Sequence, residues 1–358
     1  MNKETSGSDR AMSRRQFIGA GVATTVALTA GRAVGAEPSA GEPTRDSGLL
    51  PYNPRTHRAM PTRNLGRTGF RTGIFSLGCQ AAIEKKGNAD QAVEIIHRAL
   101  DLGVNYLDTS HVYGGGASET HVGLVMRERR KEAFLATKTG RRDREGALEE
   151  FAISLERLQT DHVDLYQLHN VQTMEQLDQI FAPDGAIHAF EQLKKEGRTL
   201  FVGITGHFEP NVLREAINRY PFDCILMAMN AADRHYLSFI EHLLPFALEK
   251  EMGIIGMKVA TRGRVLSEWV PGPLEDQPER MRTARPGTLT MEEALRYNMS
   301  LPVSTNIVGV DNVEQLEENL ATASGFTPLS PGEMAALEER TLPIVRQALY
   351  FRRWELGA

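Results

Sequence analysis

The sequence predicts an α/β fold, a (β/α)8 TIM barrel with an N-terminal β-hairpin and a C-terminal helical extension. Three observations predict it. Apolar runs of strand length alternate with amphipathic segments of helix length along most of the 358-residue chain. The alternation repeats eight times. No Gly-x-Gly-x-x-Gly turn follows the first strand, as an open dinucleotide-binding sheet normally requires. Strands joined through helices pair in parallel, and eight such units close into a barrel.

The predicted strands and helices alternate in strict order. The strands are Ile74–Leu77, Asn105–Leu107, Ala133–Thr137, Asp164–Leu168, Leu200–Ile204, Cys224–Met229, Gly253–Met257 and Asn306–Val310. The helices, whose apolar residues recur at helical spacing, are Ala89–Leu102, Ser118–Arg130, Glu145–Leu158, Gly185–Glu196, Pro210–Arg219, Leu237–Lys250, Thr290–Met299 and Asn312–Ala323.

Three further segments lie outside this repeat. Arg63–Phe70 is predicted as a short hairpin with glycines at its turn. The proline-rich segment Arg262–Gly287 is an insertion after the seventh strand, and Pro331–Tyr350 is a final amphipathic helix. Functional residues of such barrels lie at the C-terminal ends of the strands. The insertion or the final helix could therefore cover the functional end.

The N-terminal residues indicate an export address. Arg14-Arg15 and Phe17 precede an uncharged, small and apolar stretch that runs to Gly31, and small residues end at Ala36. This order resembles a twin-arginine signal peptide over residues 1–36, with the twin-arginine export machinery as its partner. The stretch is too short and too rich in Gly, Ala and Thr for a stable membrane span. We expect an exported, periplasmic or otherwise extracytoplasmic protein, with a flexible linker at 37–61 and the barrel at 62–358.

Charge and cysteine content exclude several classes of function. The net charge of −5 lacks the basic face that nucleic-acid binding needs, so we expect no nucleic-acid partner. Cys79 and Cys224 are far apart and outside any Cys-x-x-Cys spacing, so we expect no metal centre.

Four titratable residues occur at the ends of successive predicted strands. Asp108 ends the second strand and Tyr113 lies on the loop after it, while Lys138 and His169 end the third and fourth strands. Each alone is common at a loop entrance, but together they suit carbonyl reduction. Hydride attack leaves negative charge on the substrate oxygen, and a phenol must donate a proton to it. An ammonium beside that phenol is expected to lower its pKa, a carboxylate holds the ammonium, and a neutral imidazole orients the carbonyl.

The motifs around these residues resemble those of the aldo-keto reductase family, from the hairpin near Arg63 to about Ala323. The matching segments are Asp108-Thr109-Ser110-x-x-Tyr113-Gly114, Thr137-Lys138 and Tyr166-Gln167-Leu168-His169. The resemblance implies hydride transfer between NAD or NADP and a small-molecule carbonyl or alcohol, such as an aldehyde, ketone or sugar. It makes Tyr113 the general acid, Asp108 and Lys138 the residues that tune it, and His169 the residue that orients the substrate.

The same resemblance implies a cofactor site at the ends of the last four strands. Thr205-Gly206 replaces the family's usual Ser-Asn pair, and Lys258 could meet the pyrophosphate. The implied cofactor-binding residues are Thr205, Gly206, Asn230, Met257, Lys258, Gly309, Asp311, Gln315, Glu318 and Asn319. Enzymes that prefer NADP commonly carry Arg or Lys near the positions of Asp311 and Gln315, so NAD is slightly favoured.

Two other functions remain open at this point. The barrel could bind a nucleotide without catalysis, although a binder has no use for a tuned phenol. It could also be a metal-dependent hydrolase or isomerase, for which several histidines and carboxylates should gather at strand ends. The available histidines are His111, His169, His207 and His235.

Overall fold

The computed structural model describes residues 50–354. The predicted signal at 1–36 and residues 37–49 of the predicted linker lie outside the described residues. The strands of the described part are β1 (Thr62–Asn64), β2 (Arg71–Gly73), β3 (Phe75–Gly78), β4 (Tyr106–Asp108), β5 (Phe134–Thr139), β6 (Val163–Leu168), β7 (Thr199–Gly206), β8 (Cys224–Ala228), β9 (Gly253–Met257) and β10 (Thr305–Val308).

Strands β3 to β10 form a closed parallel barrel in the order β10-β3-β4-β5-β6-β7-β8-β9. This confirms the predicted fold class and each of its eight strands. Every barrel strand is almost wholly buried, since its outer face is covered by helices and its inner face fills the core. The ladder between β5 and β6 pairs Lys138 with Gln167, so both residues occupy the same level of the barrel.

The helices surround the barrel largely as predicted. They are α1 (Thr56–Ala59), α2 (Ala89–Asp101), α3 (Ala117–Arg129), α4 (Arg144–Leu158), α5 (Met174–Ile180), α6 (Ala186–Lys195), α7 (Pro210–Arg219), α8 (Phe239–His242), α9 (Leu244–Glu249), α10 (Met291–Ser300), α11 (Val313–Ser324), α12 (Pro331–Thr341) and α13 (Val345–Ala348).

Prolines divide two of the predicted helices. The helix expected at Leu237–Lys250 is split into α8 and α9, and Pro245 occupies the first turn of α9. The final helix is likewise split into α12 and α13 beside Pro343. Proline has no amide proton for the preceding turn and its ring collides with that turn, so a helix restarts there. The short helix α5 was not predicted; the side chain of Thr173 caps its N terminus.

The hairpin closes the N-terminal end of the barrel. Its strands β1 and β2 are joined by a 3-10 turn at Gly66–Thr68, and together they extend slightly beyond the predicted segment. Leu65 is fully buried beneath the barrel. Gly66 has a φ of 53°, and a Cβ there would lie 2.2 Å from the amide nitrogen of Gly253, so only glycine fits. The plugged end leaves the opposite, C-terminal end open for a site.

The predicted linker extends too far into the chain. Within its last residues, Asn53 is buried and donates hydrogen bonds to the carbonyl oxygens of Leu100 (2.8 Å) and Val104 (3.0 Å). Helix α1 and the buried side chain of Met60 follow it. Residues 50–61 therefore pack against the barrel, through the buried side chains of Asn53, Thr56 and Met60 rather than through a periodic apolar face.

No helix within residues 50–354 has the length and apolarity needed to cross a bilayer. Cys79 and Cys224 are both buried and free.

Candidate active site

A buried ion pair forms the base of the site. Lys138, on β5, donates hydrogen bonds to the carboxylate of Asp108, at the end of β4, and to the carbonyl oxygen of Thr109 at 2.6 Å. Both charged side chains are shielded from solvent. Burial alone would lower the pKa of Lys138, but the charges of Asp108 and Tyr113 outweigh it and the pKa is raised. Lys138 therefore remains an ammonium at neutral pH.

Tyr113 lies directly above this pair. Its phenolic oxygen is 3.4 Å from Lys138 Nζ, which is also 4.8 Å from the centre of the ring. The next residue, Gly114, is tightly packed. Gly114 has a φ of 60°, and a Cβ there would lie 1.9 Å from the carbonyl oxygen of Glu84. This glycine lets the loop turn sharply against Glu84 and so fixes the tyrosine.

The expected lowering of the Tyr113 pKa is not found. Burial raises the pKa above its ordinary value, the charge of Lys138 lowers it, and the charge of Asp108 raises it again. The net shift of the pKa is upward because burial outweighs the effect of the ammonium, which Asp108 partly offsets. Tyr113 is therefore a protonated phenol at neutral pH, suited to donate a proton.

His169 completes the group of four from the end of β6. Its ring centre is 5.6 Å from that of Tyr113, with an 80° angle between the planes. Its Nδ1 is 3.0 Å from the hydroxyl oxygen of Ser110. Burial, followed by the charges of Lys138 and Arg142, holds its pKa well below the ordinary value. The imidazole is therefore neutral, and the tautomer in which Nδ1 accepts from Ser110 carries its ring proton on Nε2.

Several supporting residues were missed by sequence reasoning. Gln167 Nε2 donates to the second carboxylate oxygen of Asp108 at 3.1 Å. A buried carboxylate on α3, Glu119, accepts from the Thr137 hydroxyl at 2.6 Å and from Arg157 at 3.3 Å. A glutamine inside an otherwise apolar strand was the available signal for Gln167. No feature of the sequence singles out Glu119, because acidic residues are common on helices.

The first two predicted cofactor positions lie at the end of β7. The Thr205 hydroxyl oxygen accepts from the amide of Asn170 at 2.8 Å. A Cβ at Gly206 would lie 2.9 Å from the carbonyl oxygen of Val171, so a side chain at this position would require the neighbouring backbone to shift. Asn230, after β8, uses its side chain within the protein, since it donates to Thr261 Oγ1 at 3.1 Å and accepts from the amide of Ala232 at 2.9 Å.

Lys258 is an unpaired cation at the end of β9, directly after the buried side chain of Met257. Its ammonium has no hydrogen bond or ion pair with any residue between 50 and 354, and its backbone has a φ of 64°. Burial and the neighbouring charges of Arg262 and Lys138 lower its pKa to about 8. An unpaired cation of this kind fits the anionic diphosphate of a nicotinamide dinucleotide.

The remaining cofactor candidates lie together after β10. Gly309 is exposed at the strand end, and Asn312 caps helix α11 a few residues later. Asp311 is paired with Lys85 at 3.2 Å, and its amide donates to Gln315 Oε1 at 2.9 Å. Glu318 is exposed and Asn319 is buried on the same helix. An open glycine beside a helix N terminus also suits a diphosphate, so the residues present fit the cofactor.

The C-terminal segment holds the loops that follow β7 and β8, at the C-terminal end of the barrel. The fully buried Arg352 is paired with Asp233 and donates to the carbonyl oxygens of His207 at 2.7 Å and Ala228 at 3.0 Å. At the start of the insertion, the guanidinium of Arg262 lies 4.0 Å from the carboxylate of Glu84, on the loop after β3. On α12, the Thr341 hydroxyl donates to the carbonyl oxygen of Ala231, after β8, at 3.1 Å. Both predicted covering segments therefore reach the functional end of the barrel.

Among residues 50–354, no three His, Cys, Asp or Glu side chains are grouped so that they could hold a metal ion.

Fold and site together define a class, the barrel oxidoreductases that transfer hydride between NAD(P)H and a carbonyl group. Comparison with known proteins agrees: residues 72–341 match the model of the Aldo/keto reductase family, and the chain belongs to that family. This favours the reductase over the nucleotide-binding and metal-dependent alternatives.

Two relatives and one solved structure illustrate the similarity. The chain is 30% identical over 315 residues to the uncharacterised oxidoreductase YqkF of Bacillus subtilis, covering 79% of this chain and 97% of the relative. It is 29% identical over 310 residues to L-galactose dehydrogenase of Arabidopsis thaliana, covering 80% and 93%. The holo form of the aldo-keto reductase AKR11C1 from Bacillus halodurans superposes with a TM-score of 0.65 at 28% identity, covering 79% and 96%.

Proposed function

We propose that the protein reduces a carbonyl substrate with Tyr113 as the general acid, Lys138 and Asp108 as the residues that set its proton affinity, and His169 as the residue that orients the carbonyl. The observation that carries this assignment is the contact chain from Asp108 through Lys138 Nζ to the Tyr113 phenol, 3.4 Å away. The neutral imidazole beside the phenol completes it.

Each side chain has a separate part in this reaction. The bound dinucleotide supplies or accepts the hydride. His169 donates a hydrogen bond to the carbonyl oxygen and holds its orientation. Tyr113 gives its phenolic proton to that oxygen as negative charge develops, and the fixed positive charge of Lys138 stabilises the resulting phenolate. Asp108 keeps that ammonium in place, so the proton is delivered from one position.

A substrate screen with matched variants tests this assignment. Aldehydes, ketones and aldoses are offered with NADH and NADPH, and cofactor oxidation is followed. Tyr113→Phe is expected to lower kcat for reduction about 100- to 10,000-fold, the usual range for loss of a general acid. The dissociation constant for the cofactor should stay unchanged, because the phenyl ring is retained. Tyr220→Phe, at a half-buried tyrosine between α7 and β8, is the control. Equal activity of Tyr113→Phe and wild type would disprove the assignment.

We further propose a preference for NAD over NADP. The support is the carboxylate of Asp311, after β10, which repels a 2′-phosphate and accepts a hydrogen bond from a ribose hydroxyl. Lys85 offsets part of this repulsion because it pairs with the same carboxylate. Asp311→Asn should therefore improve kcat/KM for NADPH relative to NADH, and Lys85→Met should do the opposite. A wild-type enzyme that strongly prefers NADPH would contradict this proposal.

We also propose export through the twin-arginine route, supported by Arg14-Arg15 and the small apolar stretch after them. This route carries folded proteins, so the dinucleotide could be bound before export. Arg14→Lys combined with Arg15→Lys should keep the protein in the cytoplasmic fraction, whereas Arg10→Lys, a matched change nearby, should not. Equal export of both variants would contradict the proposal.

A further inference from the structure

Arg142 lies at the mouth of the barrel, four residues beyond Lys138, and two of its three guanidinium nitrogens have no hydrogen-bond partner among residues 50–354. Its Nη2 donates to the carbonyl oxygens of His169 at 2.7 Å and Asn170 at 3.1 Å. Its Nε and Nη1 atoms are shielded from solvent and have no hydrogen-bond partner among residues 50–354. The guanidinium is thus anchored to the loop that carries His169 but is not neutralised.

No carboxylate among residues 50–354 forms an ion pair or hydrogen bond with Arg142. Glu150 is the acidic side chain whose charge acts on Arg142, but it already accepts hydrogen bonds from the Thr139 hydroxyl at 2.5 Å and the Gly140 amide at 3.3 Å. Burial lowers the pKa of Arg142 to about 10. A buried guanidinium without a counter-ion loses hydration that nothing in the protein replaces.

Arg141 and Arg352 each have a carboxylate partner. The adjacent Arg141 is exposed and paired with Asp143 at 3.4 Å. Arg352, which is more deeply buried, has Asp233 as its counter-ion. Arg63 and the buried Arg264 also lack a carboxylate, but each donates to backbone carbonyl oxygens. Arg142 differs because two shielded guanidinium nitrogens, Nε and Nη1, have no hydrogen-bond partner among residues 50–354.

Arg142 also lines a cavity beside His169. The cavity has a volume of about 320 Å³ and is lined by Val112, Gly140, Arg142, His169, Asn170, Gln172 and Gln176. No carboxylate belongs to this lining, and Asn170 Oδ1 has no partner within the described residues. The cavity follows β4 to β6, whereas the candidate cofactor residues follow β7 to β10. It therefore belongs to the half of the mouth left for the substrate.

We propose that Arg142 is a specificity-determining residue for carbonyl substrates that carry a carboxylate. The inference rests on the proposed reductase function. The substrate's carbonyl group would meet His169 and Tyr113, and its carboxylate would lie in the cavity, where it supplies the counter-ion that the protein omits. The polar lining formed by Asn170, Gln172 and Gln176 suits the same hydrophilic substrate.

The test compares substrates of matched chain length. Wild type should reduce 4-oxobutanoate with a kcat/KM about tenfold or more above that for butanal, since one charge-assisted contact is worth about that factor or more. Arg142→Met also removes the contacts to the His169 loop, which should lower kcat for both substrates alike, whereas KM should rise for 4-oxobutanoate alone and so remove the preference. Arg142→Lys should keep part of it. Arg141→Met, the neighbouring matched control, should leave both substrates unchanged.

Other results would overturn the proposal. A wild type that favours butanal, or an Arg142→Met variant that loses both substrates equally, contradicts it. A greater gain from glyceraldehyde to glyceraldehyde 3-phosphate than from butanal to 4-oxobutanoate would assign the site to a phosphate instead. If no carbonyl compound is reduced at all, the proposed function fails rather than this inference.

A second measurement does not depend on the folding of Arg142→Met. Butyrate should inhibit wild-type reduction of an uncharged aldehyde competitively, and 1-butanol should not do so at the same concentration. Because the contact is ionic, inhibition by butyrate should weaken as sodium chloride is raised. Equal inhibition by both compounds would contradict a carboxylate site.

Discussion

Lys138 donates a hydrogen bond to the carboxylate of Asp108 inside the barrel wall, and solvent reaches neither charged group. The pair connects two neighbouring strands at the level where the site begins. Gln167 satisfies the other carboxylate oxygen from the next strand. The same arrangement thus holds three strand ends together and fixes the ammonium that faces Tyr113.

Breaking this pair should cost both stability and activity. Asp108→Asn leaves Lys138 buried without its counter-ion, which typically lowers the free energy of unfolding by about 3–5 kcal/mol. Denaturant unfolding measures this loss, and kcat for reduction should fall with it. In the double variant Asp108→Asn with Lys138→Met, much of the stability should return while activity stays low. A single variant as stable as wild type would show that the ammonium has another partner.

The pH dependence of the two reaction directions should differ. The pKa of Tyr113 is raised above its ordinary value by burial, so the phenol stays protonated at neutral pH and reduction needs that form. Reduction should therefore remain level from about pH 6 to 9 and fall only above about pH 10. Alcohol oxidation needs the phenolate and should rise with pH over the same range.

Protonation of His169 should not lower the rate of reduction as the pH falls toward about 6. Its pKa lies well below the ordinary value because the ring is buried near Lys138 and Arg142, so it does not become charged as the pH falls toward about 6. Initial rates of both directions across pH, at saturating cofactor, provide the measurement. A fall in reduction between pH 7 and 9, above about twofold, would contradict the raised Tyr113 pKa.

The sequence predicts the barrel well because each strand is a short apolar run bounded by polar residues, and this periodicity is local information. The division at Pro245 also follows from one residue's covalent structure. By contrast, the packing of Asn53 beneath α2 depends on two carbonyl oxygens about 50 residues away in the chain. No local pattern encodes such a contact.

In the candidate site, too, some features follow from the local sequence and others depend on contacts between distant residues. The residue types and spacing of Asp108, Tyr113, Lys138 and His169 predict that they meet at one end of the barrel, and the structure brings them together. The direction of the Tyr113 pKa shift could not be predicted, because it depends on how burial balances against Lys138 and Asp108 at particular distances. The missing counter-ion of Arg142 was equally out of reach, since only the folded chain shows that Glu150 is already bound to Thr139.

Glu119 should act as a positioning residue for Tyr113. Its carboxylate binds Thr137, the neighbour of Lys138, and Arg157, which donates to the carbonyl oxygen of His111 at 3.1 Å on the Tyr113 loop. Glu119→Gln keeps the shape but removes the charge that holds Arg157. We expect kcat to fall about tenfold with little change in KM, because small displacements of a proton donor are costly.

A control on the same helix separates positioning from general damage. Glu128 is exposed and pairs with its neighbour Arg127, so Glu128→Gln should leave kcat unchanged. The pH profile gives a second readout, since a displaced Tyr113 would feel Lys138 less and its pKa should rise further. If Glu119→Gln lowers stability but leaves kcat and the profile intact, its role is structural only.

Arg352 should tie the C-terminal segment to the cofactor side of the mouth. Its guanidinium pairs with Asp233 and holds the carbonyl oxygens that follow β7 and end β8. Arg352→Met leaves Asp233 buried without a counter-ion and should lower the free energy of unfolding by about 3–5 kcal/mol. It should also weaken NADH binding, because the loops that it holds carry candidate cofactor contacts.

Fluorescence titration measures the affinity for NADH, and denaturant unfolding measures the stability. Arg353→Met is the control, at an exposed neighbour paired with Glu209. Weakened stability with unchanged NADH affinity would limit Arg352 to a role in folding.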